Sequence, residues 1–168
     1  MTAGETLGYW HERVREIKGP NVALVTMGDF NDEPYDQSVA VHANATRERD
    51  DVENARSARL YNLAWRTLSQ PAQNISGRER TLYGTLYFNG NGNLFDQIMV
   101  SSGMINGRAA FAVLDDTMRI EAFPEMVASS KNEGPIRFGL PRGDAARNVN
   151  TDGFSDHFPV SVVIETQG

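Results

Sequence analysis

Three short stretches carry side chains that could do chemistry together. Gly28-Asp29-Phe30-Asn31-Asp32 sets two carboxylates and an amide at the end of an apolar run, Val22 to Met27. Phe95-Asp96-Gln97-Ile98-Met99-Val100 holds one carboxylate inside a second apolar run. Phe154-Ser155-Asp156-His157-Phe158-Pro159 places an Asp-His pair just before the last apolar run, Val160 to Ile164. Carboxylates are hard oxygen donors of the kind that Mg²⁺ takes. A carboxylate, an imidazole and an amide together can aim a water, move a proton and steady a developing negative charge.

Each stretch also has a plainer reading. Asp29, Asn31 and Asp32 are residues that ordinary polar turns favour. A calcium loop of the EF-hand type is excluded, because Pro34 stands where that loop needs its central Gly. A carboxylate within an apolar strand is costly when buried without a partner, so Asp96 asks for one. A lone His is commonly structural, and His11 and His42 fall in helix-like segments with no carboxylate motif. His157 differs through its flanking residues. Adjacent strand residues point to opposite faces, so Asp156 and His157 can act together only if the strand has not begun. Pro159 is consistent with a strand that starts near it.

The positioning elements follow from periodicity. Leu7, Trp10, Val14 and Ile17 recur at helical spacing, and Gly19-Pro20 ends that helix. Val22 to Met27 reads as a strand buried on both faces, with its chemistry beyond its end, where open α/β sheets keep theirs. Asp36 to Asn44 has room for one or two helical turns, and Ala45 to Asp51 is a charge run of surface character. Ala55, Ala58, Leu60, Leu63, Ala64 and Leu68 suggest a second helix over Val52 to Leu68, with Asn62 and Arg66 outward. Thr81 to Phe88 and Leu94 to Ser101 read as a hairpin around Asn89-Gly90, which puts Asp96 near a strand start. Gly107 to Leu114 and Met118 to Phe123 read as strands joined at Asp115-Asp116. Pro124 to Asn150 has little periodicity and contains Arg137, Arg142 and Arg147.

The 168 residues suit one domain, and 40% hydrophobic content is enough to bury a core. The formal charge is −6, all of it within residues 1–54. Residues 55–168 balance 11 acidic against 11 basic residues, ten of them Arg. Such a chain is no general binder of nucleic acid, though guanidinium groups suit a few directed phosphate contacts. The Arg bias is also what a gene's base composition can produce. With no Cys, disulfides, thiolate metal sites and thiol nucleophiles are excluded. No apolar run is long enough for a membrane span, and Met1 to Glu5 does not resemble a signal peptide.

GDFND, FDQIMVS and SDHFPV, in this order and near this spacing, resemble the C-terminal half of the endonuclease/exonuclease/phosphatase superfamily. The resemblance runs from about Trp10 to Glu165. It implies an α/β (α+β) fold: a mixed β-sheet with helices on one face, half of a four-layered αββα sandwich. It implies a metal-dependent phosphoester hydrolase, foremost a nuclease-like phosphodiesterase, with Mg²⁺ or Mn²⁺ as cofactor. Phosphatases of lipid, inositol or nucleotide phosphates share the pattern, and a fragment that binds without catalysing is a further alternative. By the same resemblance, Asp156 contacts the metal and His157 contacts the scissile phosphate and takes part in proton transfer. Asp96 bonds to His157, Asp29 orients the attacking water, and Asn31 steadies phosphate and water. The family's other half supplies an Asn, a metal-binding Glu and a further His or Tyr, for which this sequence has no counterpart. The resemblance therefore implies a partial domain, with nucleic acid or another phosphoester as partner and self-association through an exposed apolar sheet face.

Overall fold

The computed structural model describes residues 3–129, 134–138 and 149–167. It is an α+β fold of mixed sheets and few helices. The chain opens with helix α1 (Ala3–Lys18), with Glu5 in its first turn and Arg15 and Lys18 in its last, complementing the helix dipole. Strand β1 (Val25–Asp29) follows. A π-helical turn (Ser38–His42) leads into β2 (Ala45–Thr46) and the short helix α2 (Arg49–Glu53). Then come β3 (Leu60–Asn62) and a 3₁₀ segment (Leu63–Thr67). Two small ribbons follow, β4 (Gln70–Gln73) with β5 (Glu79–Leu82), and β6 (Leu86–Phe88) with β7 (Asn91–Asn93). Strand β8 (Asp96–Ser101) is central, and β9 (Phe111–Ile120) pairs with the last strand, β10 (Val160–Thr166).

The main sheet has the order β1-β8-β3-β2. β8 runs antiparallel to both its neighbours, and β2 runs parallel to β3. The period-2 alternation of strands divides the core between the two faces. Leu60 and Met99 join Val39 and Ala45, with Leu7 of α1 and Phe30 against them. Tyr61, Ile98 and Val100 face the other way, onto Val113, Met118, Val160 and Val162 of the β9–β10 ribbon. A third cluster, around Leu82, Leu94 and Phe158, lies beneath the small ribbons. Helix α1 and the π-helical turn thus cover one sheet face, and the ribbon covers the other.

Several expectations are corrected. The strand expected over Val22 to Met27 runs from Val25 to Asp29, and it is an edge strand bonded only to β8. It is not buried on both faces: Val25 is 38% and Met27 73% exposed. An apolar run records composition, while burial depends on where the strand falls in the sheet. The helix expected over Val52 to Leu68 is absent. Its apolar residues split between opposite faces of the sheet, Leu60 to one and Leu63 to the other, so packing overrides their helical spacing. Asn62, expected outside, is 1% exposed. The hairpin turn does fall at Asn89-Gly90, both at positive φ, as a type I′ turn requires. It joins β6 to β7, however, while the strand that begins at Asp96 pairs with β1 and β3. The ribbon runs through Asp115-Asp116 as one strand, with a register shift opposite Ser161 and Val163. Among the described strands, exposed large apolar side chains lie on β1 (Val25, Met27), β6 (Phe88) and the ribbon (Phe111, Val163, Ile164), while β8 is buried from Gln97 to Ser101. Arg142 and Arg147 lie outside the described residues. No helix among the described residues is long and apolar enough to cross a membrane.

The irregularity in β9 has a use. Asp115 projects there and accepts from Arg66 Nη2 at 2.7 Å and from the Tyr61 hydroxyl at 3.1 Å, with Arg49 Nη1 3.3 Å away. Burial alone would raise its pKa, but the two guanidinium groups and the phenol outweigh burial and hold it below the ordinary carboxylate value. Its folded pKa is depressed, so its stabilisation is present in full above the unfolded value of 3.8 and is lost as pH falls through the folded one. Asp115→Ala is expected to cost about 1–3 kcal/mol at pH 7. The gap between the urea midpoints of the two proteins should narrow as the pH is taken below 3.8. A gap that stays constant would contradict this assignment.

Candidate active site

All three chemically suggestive stretches meet at one edge of the main sheet. In the β1–β8 ladder Asp29 is paired directly with Asp96. The C-terminal end of β1 and the N-terminal end of β8 therefore coincide. Residues opposite each other in an antiparallel pair share a face, with Cβ atoms about 5 Å apart. That face is the one the ribbon covers, because Asp96 alternates with Ile98 and Val100. Asp156-His157 precedes β10, so neither is part of regular strand, as Pro159 led one to expect.

His157 Nδ1 lies 2.7 Å from Asp96 Oδ2, with side chains 22% and 19% exposed. An ionised carboxylate only accepts, so Nδ1 is the donor of this bond, and in the neutral imidazole Nε2 is then the acceptor. Backbone contacts hold both residues in place. Leu86 of β6 forms a bridge with His157, and Ser155 Oγ accepts from the His157 N–H at 3.1 Å. Thr85, fully buried, serves both: its Oγ1 accepts from the Asp96 N–H at 3.2 Å and its carbonyl from the Phe158 N–H at 2.9 Å. Phe158, also fully buried, anchors the segment in the third core cluster.

The loop after β1 is fixed from beneath. Gly28 sits at φ +147 and Asn31 at φ 52, conformations that Gly and Asn tolerate better than other residues. Asp29 Oδ1 accepts from the Asn31 N–H at 2.9 Å, closing a small side-chain turn. Asp29 and Asn31 remain exposed. Asp32 is engaged in the fold instead, accepting from Ser38 Oγ at 2.5 Å. Gln97, fully buried, donates from Nε2 to the Asp32 carbonyl at 2.6 Å and accepts from Asn62 Nδ2 at 2.7 Å. Asn62 Oδ1 in turn caps the 3₁₀ segment, accepting from the Ala64 N–H. The Glu33 carboxylate accepts from Asn93 Nδ2 and from the Leu94 N–H, both at 3.1 Å, and ties the loop to the approach to β8.

Sequence reasoning missed Thr85, Gln97, Asn62 and Glu33 as positioning groups. Gln97 gave a readable signal, as a polar residue beside Asp96 in an apolar run. Thr85 gave none, since a Thr among β-formers is unremarkable. The structure brings Asp29, Asn31, Asp96 and His157 to one edge; Asp156 is exposed beside them. Arg137 is occupied, donating to the Tyr87 carbonyl.

The donors present are the hard oxygens that a divalent ion prefers, but their number falls short. Among the described residues no three His, Asp or Glu side chains form a group that could hold a metal ion. A complete metal centre does not fit the described residues alone.

The sequence pattern of the endonuclease/exonuclease/phosphatase family matches residues 12–166. The chain belongs to that family, and its fold is that of phosphoester hydrolases and nucleases. No curated protein and no solved structure matches it.

Proposed function

We propose that the chain carries the hydrolytic site of a phosphodiesterase of nuclease-like type. The observation that carries this reading is the 2.7 Å His157–Asp96 bond at the strand position directly opposite Asp29. Like charges facing each other across a ladder cost stability, roughly 0.2–1 kcal/mol. Retaining Asp29 opposite Asp96 makes sense where positive charge or a proton in flight comes between them.

In this reading Asp29 orients the attacking water and takes up its proton. Asn31, held by its turn beside Asp29, steadies a phosphoryl oxygen. His157 Nε2 faces the phosphate and handles the proton at the reacting oxygens, while Asp96 holds the imidazole in orientation. Family members generally use divalent metals, and a bound ion would neutralise charge on the phosphoryl oxygens. Asp156 would be one contact for Mg²⁺ or Mn²⁺.

Hydrolysis of a plasmid and of bis-p-nitrophenyl phosphate tests the reading. Cleavage is expected with Mg²⁺ or Mn²⁺, abolished by chelator and strongly reduced in Asp156→Ala. Cleavage that chelator leaves intact would overturn the metal dependence. Complete inactivity of the well-folded chain would favour the alternative of a binding module that keeps the family fold.

A further inference from the structure

The sheet edge that carries Asp29 and Asp96 extends past β3 to β2. β1, β3 and β2 all run in one direction, against β8. Their C-terminal ends therefore point the same way in a staggered row, Asp29 level with Asp96, Asn62 with Met99, and Thr46, through Tyr61, with Val100. Beyond β2 stands Arg47. Beyond β3, one turn past Asn62, stands Trp65. In the loop after β1, three residues past Asp32, stands Tyr35. These three side chains converge. The Tyr35 and Trp65 rings meet edge to face at 61°, with centroids 6.1 Å apart, and the Arg47 guanidinium lies 5.2 Å from the centre of the Trp65 ring. Tyr35 is 59% exposed, although it is large and apolar over most of its surface.

Packing alone does not account for this group. None of the three residues belongs to the core clusters. Arg47 also pairs with Glu48 at 2.9 Å, but both side chains are more than half exposed, and such pairs contribute little. Aromatic rings beside a guanidinium are what proteins use to stack successive bases and hold the intervening phosphates of a single strand. Strands lie about 4.8 Å apart and rise about 3.3 Å per residue, and Thr46 at the end of β2 is level with Tyr61 and through it with Val100, so the end of β2 is about 16 Å from Asp96. That separation suits a nucleotide farther along a nucleic-acid strand and not the reacting phosphate itself.

We propose that Tyr35, Trp65 and Arg47 form a subsite for a nucleobase farther along the strand from the scissile phosphate, so that the substrate is a single-stranded nucleic acid or oligonucleotide. The subsite rests on the phosphodiesterase reading for its place in a substrate, but it binds independently of turnover. A lipid or inositol phosphate offers no flat ring to this platform.

The test is binding in the presence of chelator, read as the anisotropy of two labelled five-unit oligodeoxynucleotides. One carries thymine at every position, and the other is abasic with the same phosphates. Stacking of one base corresponds to roughly 5- to 150-fold in affinity. The base-bearing strand should bind at least about tenfold more tightly. Tyr35→Ala, at an exposed position, should remove most of that preference, while Arg47→Ala, which removes a phosphate contact, should weaken the binding of both strands. Trp65→Ala should act as Tyr35→Ala does, with circular dichroism confirming its fold. Equal affinity for the two strands, binding of neither, or a preference that survives in Tyr35→Ala and Trp65→Ala would each overturn the proposal. Base preference without phosphodiester hydrolysis would leave the subsite standing and remove the hydrolytic reading. Hydrolysis of simple diesters with no base preference would do the reverse.

Discussion

His157→Ala is expected to lower metal-dependent hydrolysis of bis-p-nitrophenyl phosphate by about 10²–10⁴-fold, the usual range for loss of a positioned acid-base group. The side chain is partly exposed, so the variant should fold, and its urea midpoint should stay near that of the parent. Asp96→Asn should cost at least about 10- to 100-fold, as loss of an orienting partner commonly does. An amide can turn its NH₂ towards Nδ1, which favours the tautomer that puts the proton on Nε2, the wrong nitrogen for an acceptor. Because Asp96 acts through His157, the double variant should be no slower than His157→Ala alone. Additive losses would mean that Asp96 touches the substrate or the metal in its own right. A His157→Ala rate within about threefold of the parent would remove the imidazole from the mechanism altogether.

What was legible in the sequence was the chemistry, more than the layers that hold it. Asp96 could be placed at a strand start because an apolar run closes behind it, and its need for a partner followed from the cost of an unpaired buried carboxylate. His157 could be placed before its strand because Pro159 delays the strand's start. Partner and register were less legible. The run Leu94 to Ser101 offered no reason to prefer β1 and β3 over the segment Thr81 to Phe88, since pairing at long range depends on which faces find a cover. The stretch Val52 to Leu68 misled for a related reason. Leu60, Leu63 and Ala64 recur at helical spacing, yet Leu60 and Leu63 serve opposite faces of one sheet. Thr85 escaped notice because its contribution is a hydroxyl and a carbonyl, each bonded to backbone that sequence alone could not bring near.

Gln97→Leu should destabilise the fold more than any exposed substitution at the site, because Gln97 is the fully buried link between two elements. Leu fills similar space but leaves the Asp32 carbonyl and Asn62 Nδ2 without the bonds they make to Gln97. Each such loss costs about 1–3 kcal/mol, so a total of about 2–6 kcal/mol is expected from urea unfolding. The loss should also loosen the loop that presents Asp29 and Asn31, so hydrolysis should fall even under conditions where the variant is folded. Gln97→Glu separates the polar link from the shape. At pH 7 a buried carboxylate would face the Asp32 carbonyl with no proton to donate, and the cost should exceed that of Leu. As pH falls, burial favours the neutral acid, whose O–H can again donate to the carbonyl. The stability deficit of Gln97→Glu should therefore shrink between about pH 7 and pH 5, while that of Gln97→Leu stays level. Parallel deficits for the two variants would show that Gln97 fills space and does not hold the loop through its amide.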